Sequence, residues 1–412
     1  MLVQYKFNNY ASFYDETNLL LESGSDRKFK AENTFRTPYG RLNKSALIFG
    51  SNGSGKSNLI NSLEYMCNCV LAGFEVQSKI IAVSNNFAFN EYSENKPKSF
   101  EIDFIIDDIL YEYGFSILNS KIDKEYLYKK IKRKTEVFVR QSPSYKDIKV
   151  TSEFENVKHL AQNTREDALF LSWANFGNNE LAMKVYNWFK NIEIFDGDNT
   201  SEFLSSTVQY IEENNKNKEK VLGFLNKADI KVLDFNLEVR EDEKRKLFLE
   251  SLKKSVIDKL EPLPSVKKID LKVLHKIYSN EWNEVGTMET NIAFESNGTK
   301  KMFEIAGPII DAIENGKIII IDEIDARLHP LLVNHLVNLF NSNDTNAQLV
   351  CTTHNIMLLD ENLRKDQIYF IDKDKYGVSS LNCLGSLKGI RKDSKLVKQY
   401  LSGAFNGIPK IE

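Results

Sequence analysis

The sequence runs to 412 residues, enough for a large buried core and for two lobes rather than one compact domain. Hydrophobic content of 42% and charged content of 27% are ordinary for a globular protein, and a net charge of −3 excludes a surface that is basic all over. Any nucleic acid would have to meet a local patch. No charged segment leads into an apolar stretch at the start, and no run approaches the about 18 apolar residues of a membrane span. A cytoplasmic protein is expected. The four cysteines do not form a metal framework: Cys67 and Cys69 are spaced C-x-C within a helical pattern, while Cys351 and Cys383 stand alone. They read as buried free thiols in a reducing cytosol rather than metal ligands.

In chain order, Met1 to Leu21 alternates and carries Tyr5, Phe7 and Phe13, which predicts strands. Glu22 to Asn43 is polar, a loop or short hairpin. Ser45 to Phe49 is a short apolar strand running into glycines, and Lys56 to Leu71 is helical, with Leu59, Ile60, Leu63 and Met66 on one face. Phe100, Ile102, Phe104 and Ile106 alternate with polar residues, apart from an outlier at Ile105. A turn at Asp107-Asp108 follows, then Tyr111, Tyr113, Phe115 and Ile117, a hairpin within a β-meander that reaches about Arg140. From Glu155 to Lys276 the pattern is mainly helical. Leu181–Lys190 and Lys244–Leu260 are amphipathic, but no heptads persist as a long coiled coil would require. Helix–strand alternation then returns: helix Thr299–Glu314, strand Lys317–Ile321, helix Pro330–Asn341, strand Gln348–Thr352 and strand Gln367–Ile371. The predicted fold is α/β, with residues 1–150 as an N-terminal lobe, 151–280 as a mainly helical insert and 281–412 as a C-terminal lobe.

Gly50-Ser51-Asn52-Gly53-Ser54-Gly55-Lys56-Ser57 fits G-x-x-x-x-G-K-[ST] between a strand and a helix. The glycines let backbone N–H groups turn inward around phosphates, and the helix presents its positive end. Lys56 is expected on the β- and γ-phosphates and Ser57 on Mg²⁺. Lys317 to Ile321 is a β-branched run, as a buried parallel strand requires, and it ends in Asp322-Glu323. The C-terminal end of such a strand is where ligands bind in open α/β sheets. Asp322 is expected to hold Mg²⁺ and Glu323 to polarise the attacking water. His354 closes the next strand. A lone histidine there is ordinarily structural, but one strand beyond the two carboxylates it matches a residue that senses the γ-phosphate.

These residues resemble the ABC-type ATPase heads of the SMC, RecF and OLD group, whose phosphate loop has the form seen from Gly50 to Asn58. That resemblance implies a P-loop fold of ABC-ATPase type with an antiparallel β subdomain, and ATP with Mg²⁺ as ligands. In such heads a signature motif precedes the acidic strand, and Glu295-Ser296-Asn297-Gly298-Thr299 is identified with it. Thr299 stands where glutamine is common, and an ordinary helix cap is the plainer alternative. The resemblance implies that Ser296 and Gly298 serve ATP held by a second protomer, in a homodimer or larger ring, with Asp325 signalling across the interface. The chain is more specifically similar to stand-alone bacterial ATPases of the AAA family, AbiL- or RloA-like. This rests on Phe7-Asn8-Asn9-Tyr10, Ala168 to Ser172, Glu295 to Thr299, Leu328-His329-Pro330, Asp366 to Phe370, and Arg391-Lys392-Asp393 followed by Tyr400-Leu401. Members look like the ATPase half of two-component phage-defence systems, which implies a nucleotide-gated sensor or scaffold controlling a separate effector.

Lys129-Lys130-Ile131-Lys132-Arg133-Lys134 is the strongest basic cluster, a solvated face or a phosphate-backbone contact. Trp173, Trp188 and Trp282 read as core or interface anchors. Gln77 and Gln162 are poor candidates for the Mg²⁺-sensing glutamine of such heads. The alternative function is a DNA-repair or chromosome-associated head, against which the missing heptads count. A transporter subunit is disfavoured by the long stretch between Lys56 and Asp322.

Overall fold

The computed structural model describes residues 1–241, 267–387, 395–405 and 407–408. The amphipathic stretch Lys244–Leu260 and the motif Arg391-Lys392-Asp393 lie outside them. Two compact units emerge, Met1–Asn199 with Asp311–Glu412, and Thr200–Ile310.

The first unit opens with β1 (Leu2–Asn8) and β2 (Thr17–Leu20), then the hairpin β3 (Thr34–Thr37) and β4 (Gly40–Asn43). β5 (Ser45–Gly50) leads through the glycine loop into α1 (Lys56–Leu71), followed by α2 (Phe74–Ala82). The meander consists of β6 (Lys98–Ile106), β7 (Ile109–Leu118), β8 (Lys121–Lys130), β9 (Lys134–Arg140) and β10 (Ile148–Val150). With β1 and β2 it makes a seven-stranded antiparallel sheet, ordered β10-β9-β8-β7-β6-β1-β2. Phe7, Phe100 and Phe115 stand opposite one another across three strands, the arrangement in which aromatic cross-strand pairs stabilise a sheet. Ile105 breaks the alternation because the opposite face is locally covered too: it packs with Val3, Phe35 and Leu42, the last two from the β3–β4 hairpin.

Three helices follow, α3 (Lys158–Ala161), α4 (Phe170–Phe176) and α5 (Glu180–Lys190), and then a parallel strand, β11 (Ile192–Asp196). α1 buries Leu59, Ile60, Leu63 and Met66 in one core with Phe100 and Phe115 of the antiparallel sheet and with Ile48, Ile320 and Val350. Each such side chain contributes about 1.5–3 kcal/mol.

In the second unit lie α6 (Thr200–Glu213), α7 (Asn215–Lys227), and the antiparallel sheet β12 (Asp234–Glu241), β13 (Lys267–Tyr278) and β14 (Glu284–Asn291). The expectation of a mainly helical insert over 151–280 therefore needs amending at both β11 and this sheet. Leu271 and Val273 repeat every second residue and are buried while Lys272 between them is exposed, a strand period. The unit also holds the start of α8 (Asn297–Asn315), which contains Pro308. Proline removes the N–H that would bond the Glu304 carbonyl. Thr207 donates its hydroxyl to that carbonyl at 2.5 Å and accepts from Gly307 N at 2.9 Å.

The first unit resumes with β15 (Ile318–Asp322), α9 (Pro330–Asn341), β16 (Gln348–Thr352), β17 (Ile368–Lys373), β18 (Ser379–Cys383) and α10 (Leu396–Leu401). Its second sheet is ordered β11-β15-β16-β5-β17-β18, parallel except for β18. β16 therefore separates the strand of the glycine loop from the strand ending in carboxylates. No helix among the described residues is long and apolar enough to cross a membrane.

Candidate nucleotide site

The loop after β5 is shaped by its glycines. A Cβ at Gly50 would lie 2.6 Å from Ser54 Oγ and 2.7 Å from the Ile371 carbonyl. Gly53 and Gly55 have φ of 72° and 117°, a region L side chains rarely enter. Gly55 is also crowded from outside, since its Cβ would lie 2.5 Å from Ser379 Oγ and 2.8 Å from Ser12 Oγ. Those two serines clamp the loop. Ser379 Oγ donates to the Ser54 carbonyl at 2.5 Å and bonds Ser12 Oγ at 2.8 Å, and Asn58 Nδ2 donates to Ser12 Oγ at 2.8 Å. Neither serine stands out in the sequence, because Ser12 lies in the turn between β1 and β2 and Ser379 at the start of β18, and neither place has a motif of its own.

Lys56 is 6% exposed, and its ammonium donates to the carbonyls of Gly50 (3.0 Å) and Ser51 (3.1 Å). Burial pushes its pKa down, while Glu323, Asp322 and Asp325 push it back up, so the ammonium lies within the field of all three carboxylates. Ser57 and Asn52 are exposed, and the Ser54 hydroxyl is buried without a partner. A turned-in loop, a cation above it and an unmet buried hydroxyl fit an oligophosphate.

Asp322 ends β15, and its Oδ1 accepts a hydrogen bond from Thr352 Oγ1. The same hydroxyl accepts from Glu323 N at 2.7 Å. Glu323 has φ 53°, a left-handed backbone for a residue other than glycine, and this turn carries its side chain out of the strand direction. Asp325 accepts the backbone N–H of His354 on both carboxylate oxygens, each at 3.1 Å. Phosphate loop, Asp322, Glu323, Asp325 and His354 thus gather at the C-terminal ends of β5, β15 and β16. A cleft of about 860 Å³ opens beside them, lined by Gly50 to Ser54, His354, Ile356, Asp372 to Asp374 and Tyr400. Its volume is in the range of small-ligand sites.

The structure adds a neighbour that sequence reasoning missed. β11 pairs with β15 in parallel so that Asp196 stands beside Asp322. Gly197 N donates to the Asp322 carbonyl at 2.7 Å, and a Cβ on Gly197 would lie 2.2 Å from the Glu323 carbonyl. The available signal was the apolar pattern of Ile192, Ile194 and Phe195 between two helices, too short to stand out. Gln77 is fully buried, with its amide bonded to Cys69 O (2.6 Å), Ser172 Oγ (2.9 Å) and Leu169 N (3.1 Å), so it is a core brace. Gln162 is exposed after α3.

Ser296 and Gly298 fall in the second unit. Ser296 is exposed, and its Oγ accepts from Thr299 N at 3.1 Å, so it caps α8. Of the basic cluster, Lys129 pairs with Glu153, and Lys134 pairs with Glu112 at 2.6 Å. Cys67, Cys69 and Cys351 are buried free thiols and Cys383 is half-buried. Among the described residues no group of histidine, cysteine or acidic side chains could hold a metal ion by itself.

Parallel sheet, phosphate loop and strand-end carboxylates define a P-loop ATPase. The chain belongs to the family described as "AAA domain, putative AbiEii toxin, Type IV TA system", whose model matches residues 45–360. It is 24% identical over 369 residues to the "Retron Vc95 probable ATPase" of Vibrio cholerae serotype O1 biovar El Tor, spanning 80% of this chain and 69% of that protein. Two solved SMC heads overlie it loosely. The head domain from Thermotoga maritima is 12% identical, covering 93% of this chain and 98% of its own, with a TM-score of 0.43. The SMC head bound to the C-winged helix domain of ScpA is 12% identical, covering 92% and 96%, with a TM-score of 0.42.

Proposed function

We propose that this ATPase is a nucleotide-gated switch in a bacterial anti-phage defence system, working as a homodimer or larger homo-oligomer in the cytoplasm and controlling a separate effector protein. The observation that carries the reading is the phosphate loop with its Lys56 in the field of Asp322, Glu323 and Asp325, the first two tied together through the Thr352 hydroxyl. The loop from Gly50 to Gly55, Asn52 included, and the Lys56 ammonium receive the phosphates of ATP, with Asn58 in the first turn of α1. Ser57 and Asp322 hold Mg²⁺, which when bound neutralises charge on the phosphates. Glu323, fixed through Thr352, orients the attacking water. His354, whose backbone is held by Asp325, reads the terminal phosphate. Ser296 and Gly298, at the positive end of α8, address ATP on a second copy, and Asp325 reports across that contact.

The defence assignment is supported by the retron relative and by the toxin–antitoxin wording of the family description. The basic cluster, tied at both ends by glutamates, gives no independent support to a DNA-binding head. The test is Glu323→Gln purified from native cells with ATP and Mg²⁺, with bound protein and nucleic acid both analysed. A stoichiometric partner protein is expected, together with retained ATP and lost hydrolysis. DNA without a partner would move the function to chromosome maintenance, and hydrolysis at the wild-type rate would remove Glu323 from its role.

A further inference from the structure

β13 and β14 begin in a core and end outside it. Leu271 and Val273 are buried, but every residue from Lys276 to Glu289 except Ser279 is exposed. A two-stranded ribbon bare on both faces is marginally stable in water. This one nevertheless carries Ile277 (39% exposed), Tyr278 (48%), Trp282 (82%), Val285 (63%) and Met288 (52%), and Phe294 (85%) follows it. Ile277 continues the alternation of Leu271 and Val273, and Met288 stands opposite His275 on that same face. The core stripe therefore runs out into solvent uncovered. Tyr278 and Trp282, their rings 6.4 Å apart, lie at the tip, Ile277, Val285 and Met288 lie along the ribbon and Phe294 lies beyond its base, an exposed apolar run of the kind that marks an interaction site on a monomer.

Two observations select the occupant. Lys276 and Lys272 of the hairpin are already matched, to Glu284 at 2.5 Å and to Glu289 at 3.6 Å, which disfavours a phosphate-rich partner and favours an apolar protein surface. The hairpin is also tied to the signature segment. Glu295 Oε1 bonds His275 Nε2 at 2.8 Å and Thr290 Oγ1 at 3.3 Å, so Phe294, Glu295 and Ser296 are fixed to its base. The base of the ribbon and Ser296 are therefore held together.

We propose that the β13–β14 hairpin, with Phe294, is an apolar clasp that packs on a second copy of this chain when the signature segment reaches that copy's nucleotide. The clasp rests on the ATP-sandwich reading above and extends it from Ser296 to Trp282. It accounts for an exposed tryptophan that the sequence predicts to be a core or interface anchor. Glu295 makes clasp and signature one body, so closing on nucleotide and burying the ribbon are a single event.

The experiment compares full-length Glu323→Gln with ATP and Mg²⁺, alone and combined with Trp282→Ser/Phe294→Ser, by light scattering across protein concentration. Because both side chains are exposed, the fold and the ATP affinity of the monomer should stay unchanged. The dimer dissociation constant should rise at least about tenfold, the loss expected when interface aromatics are truncated. Met288→Lys provides a second variant that should act in the same direction, read in the same way if the serine pair lowers the melting temperature. Ser296→Arg in the same background separates the two levels. If it abolishes the dimer while the clasp variants leave the dissociation constant unchanged, the clasp is wrong and the sandwich stands. If ATP drives no self-association in any of these chains, both fall.

Discussion

Thr352 is the side chain through which the candidate site is built. One hydroxyl donates to Asp322 and accepts from Glu323 N at 2.7 Å, so a single atom fixes the carboxylate expected on Mg²⁺ and the turn that aims Glu323. Valine keeps the shape and removes both bonds, leaving the half-buried Glu323 N–H without its partner, at a cost of about 1 kcal/mol. Thr352→Val is expected to lower kcat by about tenfold to a hundredfold, because small misplacements of reacting groups are costly. ATP binding should be nearly unchanged, since Lys56 and the loop are untouched. Steady-state kinetics with equilibrium nucleotide binding would check this. An unchanged kcat would leave Thr352 a purely structural residue.

At the scale of elements, the edge strand β11 matters through its last contact. Gly197 meets β15 so closely that a side chain would strike the Glu323 carbonyl at 2.2 Å, a backbone atom that cannot step aside. Gly197→Val should therefore push β11 from β15 or move Glu323, costing about 1–3 kcal/mol as overpacking does, and reducing hydrolysis more than binding. Gly223 in α7 is the control. Nothing lies within 4 Å of its added Cβ, and alanine there should stabilise the helix by about 0.5–1 kcal/mol. Denaturant melts and hydrolysis rates on both variants decide whether the glycine acts through contact or through chain flexibility.

For the whole molecule, the site is divided between copies in the proposed assembly, and mixing tests that division. Ser296→Arg and Lys56→Ala should each be inactive alone, the first still binding ATP and the second not. Mixed, they should regain hydrolysis. Each mixed dimer holds one site with an intact loop from one copy and an intact signature from the other. No recovery, with both chains folded and associating, would place every group needed for hydrolysis within one chain.

The sequence by itself determined whatever is contiguous. Gly50 to Ser57 carries its own geometry, because a loop of glycines between an apolar strand and an amphipathic helix leaves the backbone few choices. α1 and α9 start and stop where the residue pattern predicts. The β-branched run into Asp322-Glu323 likewise announces a buried strand with carboxylates at its end. Only tertiary structure decided that β16 lies between the two motifs and brings Thr352 to Asp322 and Glu323, that β11 sets Asp196 beside Asp322, and that Ser12 and Ser379 close on Gly55. It also decided that β13, from Lys267 onward, is a strand where the pattern up to Lys276 predicts helix. Sheet order and strand pairing join residues far apart in the chain, and their energy comes from burial and hydrogen bonds that no local pattern encodes. A motif declares its chemistry locally, and its supporting contacts exist only after the strands are side by side.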